Sequence, residues 1–442
     1  MTRELILGIL LQVTRDGEYS HIALRNVLNK YQYLDKKERA FITRVTEGTL
    51  EHMIEIDYII NQFSKVPVNK MKPVIRNIIR SAVYQIKYMD SVPNSAACNE
   101  AVKLAVKKGF SNLRGFVNGV LRSVERNIAT LELPDDLSIR YSMPTWILEQ
   151  WLSCYDKETV EKMLKDFQKE KPTTIRCNLN CMSKEELKKS LEKEGVVVQE
   201  HPYLTYALQI SNYDYLADLQ SFQNGAFSVQ DISSMLVAHI ADPKECDVVI
   251  DVCAAPGGKA LHMAELLKNT GHVEARDLTE YKVQLIRENI ERSGLSNIDA
   301  VQWDATILDE SVVETADIVV ADLPCSGLGV LGKKTDLKYK MTKEMQMELV
   351  NLQQSILSQV KNYVKPEGIL VYSTCTIHEK ENMGNVQWFL ENNPDFRLVS
   401  IKEQLCETLQ QDVQEEGCLQ LLPGVHESDG FFIAKFKRVK HG

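Results

Sequence analysis

The sequence contains no apolar run approaching the ~20 residues of a helical membrane span, so a bilayer-crossing helical protein is excluded. Its 10 cysteines include no Cys-x-x-Cys pair. Cys177 and Cys181 lie close together without a His- or Cys-rich partner motif, so no metal site is expected. Scattered thiols with no disulfide framework fit a reducing, cytoplasmic setting. Gly-x-Gly-x-x-Gly is missing, and Ala255-Pro-Gly-Gly-Lys-Ala260 lacks Walker A spacing, which disfavours a dinucleotide or an ATP phosphate. There is no internal repeat and no low-complexity tract. The opening Met1-Thr-Arg-Glu-Leu-Ile reads as an amphipathic helix start, not a signal peptide.

What is present is ample core and an uneven charge. The 442 residues, 44% hydrophobic and 26% charged, suit a soluble globular chain of two or three domains. Residues 1–130 hold 20 Lys+Arg against 12 Asp+Glu, a net of +8. The remainder holds 32 against 49, a net of −17. A basic third on an acidic body points to one module that contacts a polyanion; a helical domain that happens to be Lys-rich is the competing reading.

Hydrophobic spacing divides the chain into four parts: 1–130, 131–170, 171–231 and 232–442. The first reads as all-helical. Leu5, Ile6, Ile9, Leu10 and Val13 make one apolar face, and Val74, Ile75, Ile78, Ile79, Ala82 and Val83 another. Asp35 followed by Glu38 resembles a capping box. Residues 131–170 form a helical connector with Trp146 and Trp151 as core anchors. Residues 171–231 alternate as a small α+β subdomain, in which Arg176 and Asn178 are candidates for RNA contact or exposed strand residues with no partner. From 247 onward strands and helices alternate, as a parallel sheet with crossover helices requires. Strands are expected near 247–252, 272–276, 298–303, 317–322, 368–374 and 431–437. The last, Asp429-Gly-Phe-Phe-Ile-Ala-Lys-Phe, is expected to bury its aromatics and carry its lysines at the edge.

The chemistry gathers at strand ends. Val248-Val-Ile-Asp-Val-Cys-Ala-Ala-Pro-Gly-Gly-Lys259 runs from buried strand through a small-residue turn into a helix, where glycines admit a ligand to the backbone and the helix N-terminus offers free N–H groups. Asp277, 19 residues after Gly258, stands where an acidic residue reaches a ribose hydroxyl pair. Asp304 follows the next strand, within reach of an adenine amino group. Singly, each aspartate is more often a cap or turn residue; in register they favour a cofactor with ribose and no phosphate, such as S-adenosylmethionine. Asp322-Leu-Pro-Cys325 and Ser373-Thr-Cys375 then place two thiols at the ends of neighbouring strands. Strands about 4.8 Å apart would open both onto one cleft. Carbon 5 of cytosine is a poor nucleophile, and a thiolate adding at carbon 6 activates it, so paired thiols beside such a cofactor have a clear use.

On these motifs the chain resembles the Sun/RsmB-type family of bacterial small-subunit ribosomal RNA cytosine-5 methyltransferases. Val92-Pro-Asn-Ser-Ala-Ala and Arg114-Gly-Phe-Val-Asn-Gly-Val-Leu-Arg122 resemble the NusB-type RNA-binding fold. The resemblance implies an all-α NusB-like N-terminal domain, a small α+β subdomain and an α/β Rossmann-like methyltransferase core. It implies Cys375 as nucleophile and Cys325 as the thiol that assists product release. It places Cys253, Ala254, Ala255, Pro256, Gly257, Gly258, Lys259, Asp277, Asp304 and Asp322 at the cofactor, with Lys259 and Asp322 also able to face the target base. Glu381-Asn382 matches the acidic-Asn pair that follows the nucleophile. The implied partner is small-subunit ribosomal RNA, met free or in an early assembly particle by a cytoplasmic monomer. Ala260, Leu323 and Met143 depart from the family's usual Thr, Ala and His, but no reacting group is lost.

Two readings compete. A non-catalytic RNA-binding assembly factor would have no need of both Cys325 and Cys375. A small-molecule methyltransferase leaves the basic helical domain unexplained.

Overall fold

The computed structural model describes residues 1–440, the side chain of Glu415 excepted. The chain divides into two compact units, residues 1–169 with 331–341, and residues 170–330 with 342 onward.

The first unit is helical throughout, as the 3.6-residue periodicity requires. Helix Thr2–Thr14 buries Ile6, Leu7, Ile9, Leu10 and Val13, and helix Pro73–Tyr88 buries Ile75, Ile78, Ile79, Ala82 and Val83 in the same core. Asp35 caps helix Lys36–Glu51 by accepting from the Glu38 N–H at 2.8 Å. Gly48 on that helix lets the Tyr84 ring pass so close that a Cβ there would lie 2.1 Å from it, so only glycine fits. In the connector Trp151 is fully buried and stacks on Phe167 at 5.9 Å between ring centroids. Residues 331–341 also pack in this unit. Asp336 accepts from the Ser20 N–H and Oγ at 3.0 and 2.6 Å, and the buried Lys338 Nζ donates to the Glu51 carbonyl at 2.9 Å.

The second unit holds two sheets. The smaller is antiparallel, in the order β2-β3-β1-β4, from β1 (Thr173–Cys177), β2 (Val197–Glu200), β3 (Ala207–Ser211) and β4 (Phe227–Val229). Helix Lys184–Lys193 covers it, capped by Ser183 in a full capping box with Glu186. Among the described residues the larger has nine strands. Its parallel part runs β7 (Ile298–Gln302), β6 (His272–Asp277), β5 (Val248–Asp251), β8 (Ala316–Asp322), β9 (Val364–Thr374). The β-branched runs of β5 and β8 suit strands buried on both faces. Strand order reverses between β5 and β8, so the carboxyl ends of these two strands flank the crevice where open α/β sheets bind ligands.

Beyond β9 the sheet turns antiparallel. β13 (Phe431–Arg438) pairs with β9 and β12 (Cys418–Leu421), β12 with β11 (Val413–Glu415), and β10 (Phe396–Leu398) with β13. The expectation of edge lysines on the last strand is therefore corrected. β13 lies inside the sheet, and Lys435 is buried, its Nζ donating to the Ile240 carbonyl at 2.7 Å in the last turn of helix Ile232–Ala241.

Candidate active site

The predicted residues sit where β5, β6, β7, β8 and β9 end. After β5 the chain turns through Cys253–Gly257, with Gly257 at φ +109° opening helix Gly258–Leu266, a backbone angle that only glycine adopts without strain. Ala254 N–H donates to the Arg276 carbonyl at 2.8 Å, and Gly257 N–H to the Ala254 carbonyl at 2.7 Å. Asp277, at the end of β6, is buried and braces this turn. One carboxylate oxygen accepts from the Ala255 N–H at 3.0 Å; the other accepts from the Leu278 N–H at 2.8 Å and meets the Lys282 ammonium at 3.0 Å. Asp304, past β7, accepts from the Thr306 N–H and Oγ1 at 2.9 and 2.7 Å, which holds its carboxyl below the usual range.

Lys259 reaches from the helix start to the end of β8. Its Nζ donates to Asp322 Oδ2 at 2.7 Å and lies over the Phe431 ring, 5.4 Å from the centroid. Burial alone would lower this lysine, but the facing Asp322 outweighs it and the ammonium is held above its ordinary range. The other Asp322 oxygen accepts from Ser373 Oγ at 2.8 Å, which ties β8 to β9. Beyond these strand ends the Cys325 and Cys375 sulfurs stand 3.4 Å apart, both half-buried. The Cys325 thiol is pushed far up, first by its hydrogen bond with Cys375 and then by burial, so it keeps its proton. Next to Cys375 the Gly329 N–H donates to the Cys375 carbonyl at 3.0 Å and the Gly430 N–H to the Gly329 carbonyl at 2.8 Å; a Cβ on Gly329 would lie 2.0 Å from the Gly430 oxygen.

Arg176 and Asn178 are not at a surface, which corrects both readings made of them. Arg176 is 0% exposed and forms a two-pronged ion pair with Glu265, at 2.9 and 2.8 Å. It also donates to the Gly258 carbonyl at 2.9 Å. Asn178 is buried and donates to the Gly225 carbonyl at 3.0 Å. A guanidinium whose donors are used inside the subunit has no face for a phosphate.

Asp251, the last residue of β5, carries no motif of its own. It is 1% exposed, and Oδ2 is a buried oxygen with no hydrogen-bond partner among the described residues. Burial first, and Asp322 next, push its carboxyl up to about 7. An unpaired buried acceptor at the end of β5 fits a ligand that brings a cationic or N–H donor. The signal was legible: a lone carboxylate in a β-branched core strand is costly unless it serves something. Asp251, the Ala254–Gly258 turn and Asp277 together fit an amino-acid-bearing nucleoside such as S-adenosylmethionine.

Comparison with known proteins places this geometry. Residues 238–437 match the family described as 16S rRNA methyltransferase RsmB/F, residues 1–126 the NusB family, and residues 143–215 the RsmF/B-like ferredoxin-like domain. The chain is 36% identical, over 99% of its length and 98% of the relative's, to the probable ribosomal RNA small subunit methyltransferase B of Bacillus subtilis (strain 168). The chain belongs to this methyltransferase family. The namesake from Synechocystis sp. is 33% identical over 99% of both chains. Among solved structures, that of PH0851 covers 99% of this chain and 98% of its own at TM-score 0.83 and 25% identity. The structure of NSun6 from Pyrococcus horikoshii with SFG covers 70% of this chain and 99% of its own, at TM-score 0.57 and 25% identity. The helical N-terminal domain, the small subdomain and the Rossmann-like core expected from the sequence are all borne out.

Proposed function

We propose that this methyltransferase modifies carbon 5 of a cytosine in small-subunit ribosomal RNA, through a covalent adduct of Cys375 at carbon 6. The observation that carries the reading is the pair of sulfurs 3.4 Å apart, one strand end from the Lys259–Asp322 pair. S-adenosylmethionine, held by Asp251, the 253–259 loop, Asp277 and Asp304, supplies the methyl group.

The chain's own residues account for the rest. The Cys375 thiolate forms a bond to carbon 6, and the ring's electrons move to carbon 5, which becomes nucleophilic. Asp322, fixed by Lys259 and Ser373, is available to the N3 edge of the ring, where a shared proton would take up charge as sulfur adds. After methylation a base removes the proton from carbon 5, the carbon–sulfur bond breaks, and the Cys375 thiolate and the 5,6 double bond are restored. Cys325 is suited to that second step. The largest cause of its raised pKa is the hydrogen bond with Cys375, and that cause disappears once the Cys375 sulfur is bonded to carbon. Relieved of that hydrogen bond, Cys325 gives up its own proton to solvent more readily, and the resulting thiolate can take the proton from carbon 5.

The basic 1–130 segment contributes RNA affinity, and the protein works as a cytoplasmic monomer on free RNA or an early assembly particle. Bisulfite sequencing of total RNA from a strain lacking the protein tests the reading. Loss of protection at a cytosine of the small-subunit RNA is expected; an unchanged pattern rejects it.

A further inference from the structure

The two reactive thiols are not placed by the sheet. Cys325 lies three residues beyond the end of β8 and Cys375 one beyond β9, past the last paired residues of both strands. A buried carboxylate joins the residues next to them. Resting on the cytosine reading above, we propose that Glu381 is a positioning residue that holds the Cys325 and Cys375 sulfurs in van der Waals contact.

Glu381 is 0% exposed. An ionised carboxylate has about four acceptor sites, and this one meets four donors: Ser326 N–H at 2.9 Å, Ser326 Oγ at 2.5 Å, Gln353 Nε2 at 2.9 Å and His378 Nδ1 at 2.9 Å. Full use of its lone pairs is what makes a buried carboxylate tolerable. The donors are not scattered. Ser326 directly follows Cys325, and Gln353 Nε2 also donates to the carbonyl of Pro324, directly before it, at 2.8 Å. The Cys325 backbone is gripped on both sides through one carboxylate.

The grip extends to the other thiol. Ser326 Oγ lies 2.7 Å from Thr376 Oγ1, on the residue after Cys375. Because the Ser326 hydroxyl donates to Glu381, which as a carboxylate can only accept, its oxygen must accept from Thr376. The carboxylate thereby fixes the direction of the relay Thr376 to Ser326 to Glu381. The next residue, Asn382, completes the nucleophile's side. Its Oδ1 accepts from Thr374 Oγ1 at 2.6 Å and its Nδ2 donates to the Thr376 carbonyl at 3.1 Å. The residues flanking both cysteines are thus tied to one Glu-Asn dipeptide. A separation of 3.4 Å suits the proposed hand-over, in which Cys325 takes a proton from carbon 5, the carbon two bonds from the Cys375 sulfur, and it stops well short of the ~2.05 Å of a disulfide.

Glu381→Gln tests this, because the amide keeps the shape but presents N–H groups to donors. The direct readout is thiol proximity, which does not depend on methyl transfer. In full-length protein, diamide takes the two thiol hydrogens onto its N=N bond, becoming a hydrazine, while an S–S bond forms between Cys325 and Cys375. Peptide mass spectrometry follows that bond. Glu381→Gln is expected to cross-link at least about 10-fold more slowly than wild type. Its kcat should fall about 10- to 100-fold with the KM for S-adenosylmethionine within about twofold, since an ångström of misplacement has effects of that size. A folded Glu381→Gln protein that cross-links and turns over at wild-type rates overturns the proposal. If that variant does not fold, Ser326→Ala decides, because it removes the hydroxyl relay and keeps the backbone bond: slowed cross-linking supports the proposal and a wild-type rate overturns it. Should wild type cross-link rapidly and Glu381→Gln slowly while neither methylates cytosine, the chemistry proposed above fails and the positioning role stands.

Discussion

Arg176 and Glu265 form a buried, two-pronged ion pair, at 2.9 and 2.8 Å, that joins the small antiparallel sheet to the helix beginning at Gly258. Removing one member of such a pair strands the other charge in the interior. Arg176→Met is therefore expected to destabilise the protein by roughly 3–5 kcal/mol, and Arg176→Met with Glu265→Met by much less, because no lone charge remains. Urea denaturation of the three proteins checks this. Equal losses in the single and double variants would show that packing, not charge, is what Arg176 supplies.

Asp277→Ala removes the acceptor that holds the Ala255 N–H along with the carboxylate assigned to the ribose. Loss of charge-assisted hydrogen bonds of this kind weakens binding by about 10- to 100-fold. The fold should persist, because the residue lies at a strand end. Calorimetry with S-adenosylmethionine reads the effect; unchanged affinity in a folded variant removes Asp277 from the cofactor site.

The β-branched run of β5, the small-residue turn and the helical spacing after Gly258 made the start of the core readable, because each is a local signal. The polar residues of the small subdomain were not. Arg176 finds its partner 89 residues away and Asn178 its partner 47 away, and nothing in the local pattern distinguishes a buried ion pair from an exposed strand. β10, β11 and β12 leave no local signal, because strands of three and four residues carry almost no periodicity. The burial of Lys435 has no local signal for a related reason: alternation sets which face a residue takes, but not whether that face is later covered. Ser326 and Gln353 have no motif at all; only the folded loops show them around Glu381.

Asp251 makes cofactor binding depend on pH. Its folded-state carboxyl sits at about 7, above the ordinary 3.8, because of burial and then Asp322. A group raised in this way binds a proton in the folded protein between those values, so its ionisation costs stability as pH rises from about 4 to about 7. Binding runs the other way. If the orphaned oxygen receives the cofactor's cationic end, affinity should rise about tenfold between pH 6 and pH 8. Asp251→Asn should flatten the profile at the weaker level. A pH-independent affinity in wild type would remove Asp251 from the cofactor's reach.

The +8 charge of residues 1–130 should appear as salt dependence. Each single-strand phosphate neutralised contributes about 0.7 to the slope of log K against log salt. Arg114 and Arg126 are exposed on helix Arg114–Asn127. Replacing both by Gln should reduce the slope by about 1.4 if each meets a phosphate. An unchanged slope would place the RNA path elsewhere on the basic domain.

The two cysteines have different places in the reaction, and single substitutions separate them. Cys375→Ala cannot form the bond to carbon 6, so it should yield neither methylated RNA nor covalent protein–RNA complex. Cys325→Ala should still attack and methylate, then stall before elimination, because the thiol 3.4 Å from the adduct sulfur is gone. The stalled species should survive denaturing electrophoresis and appear only when S-adenosylmethionine is supplied. Before methyl transfer the sulfur leaves as readily as it adds, so an unmethylated adduct is lost on denaturation. Trapping by Cys375→Ala and none by Cys325→Ala would exchange the two roles. Wild-type turnover in both variants would exclude the thiol adduct altogether, and the short Cys325–Cys375 separation would then need another cause.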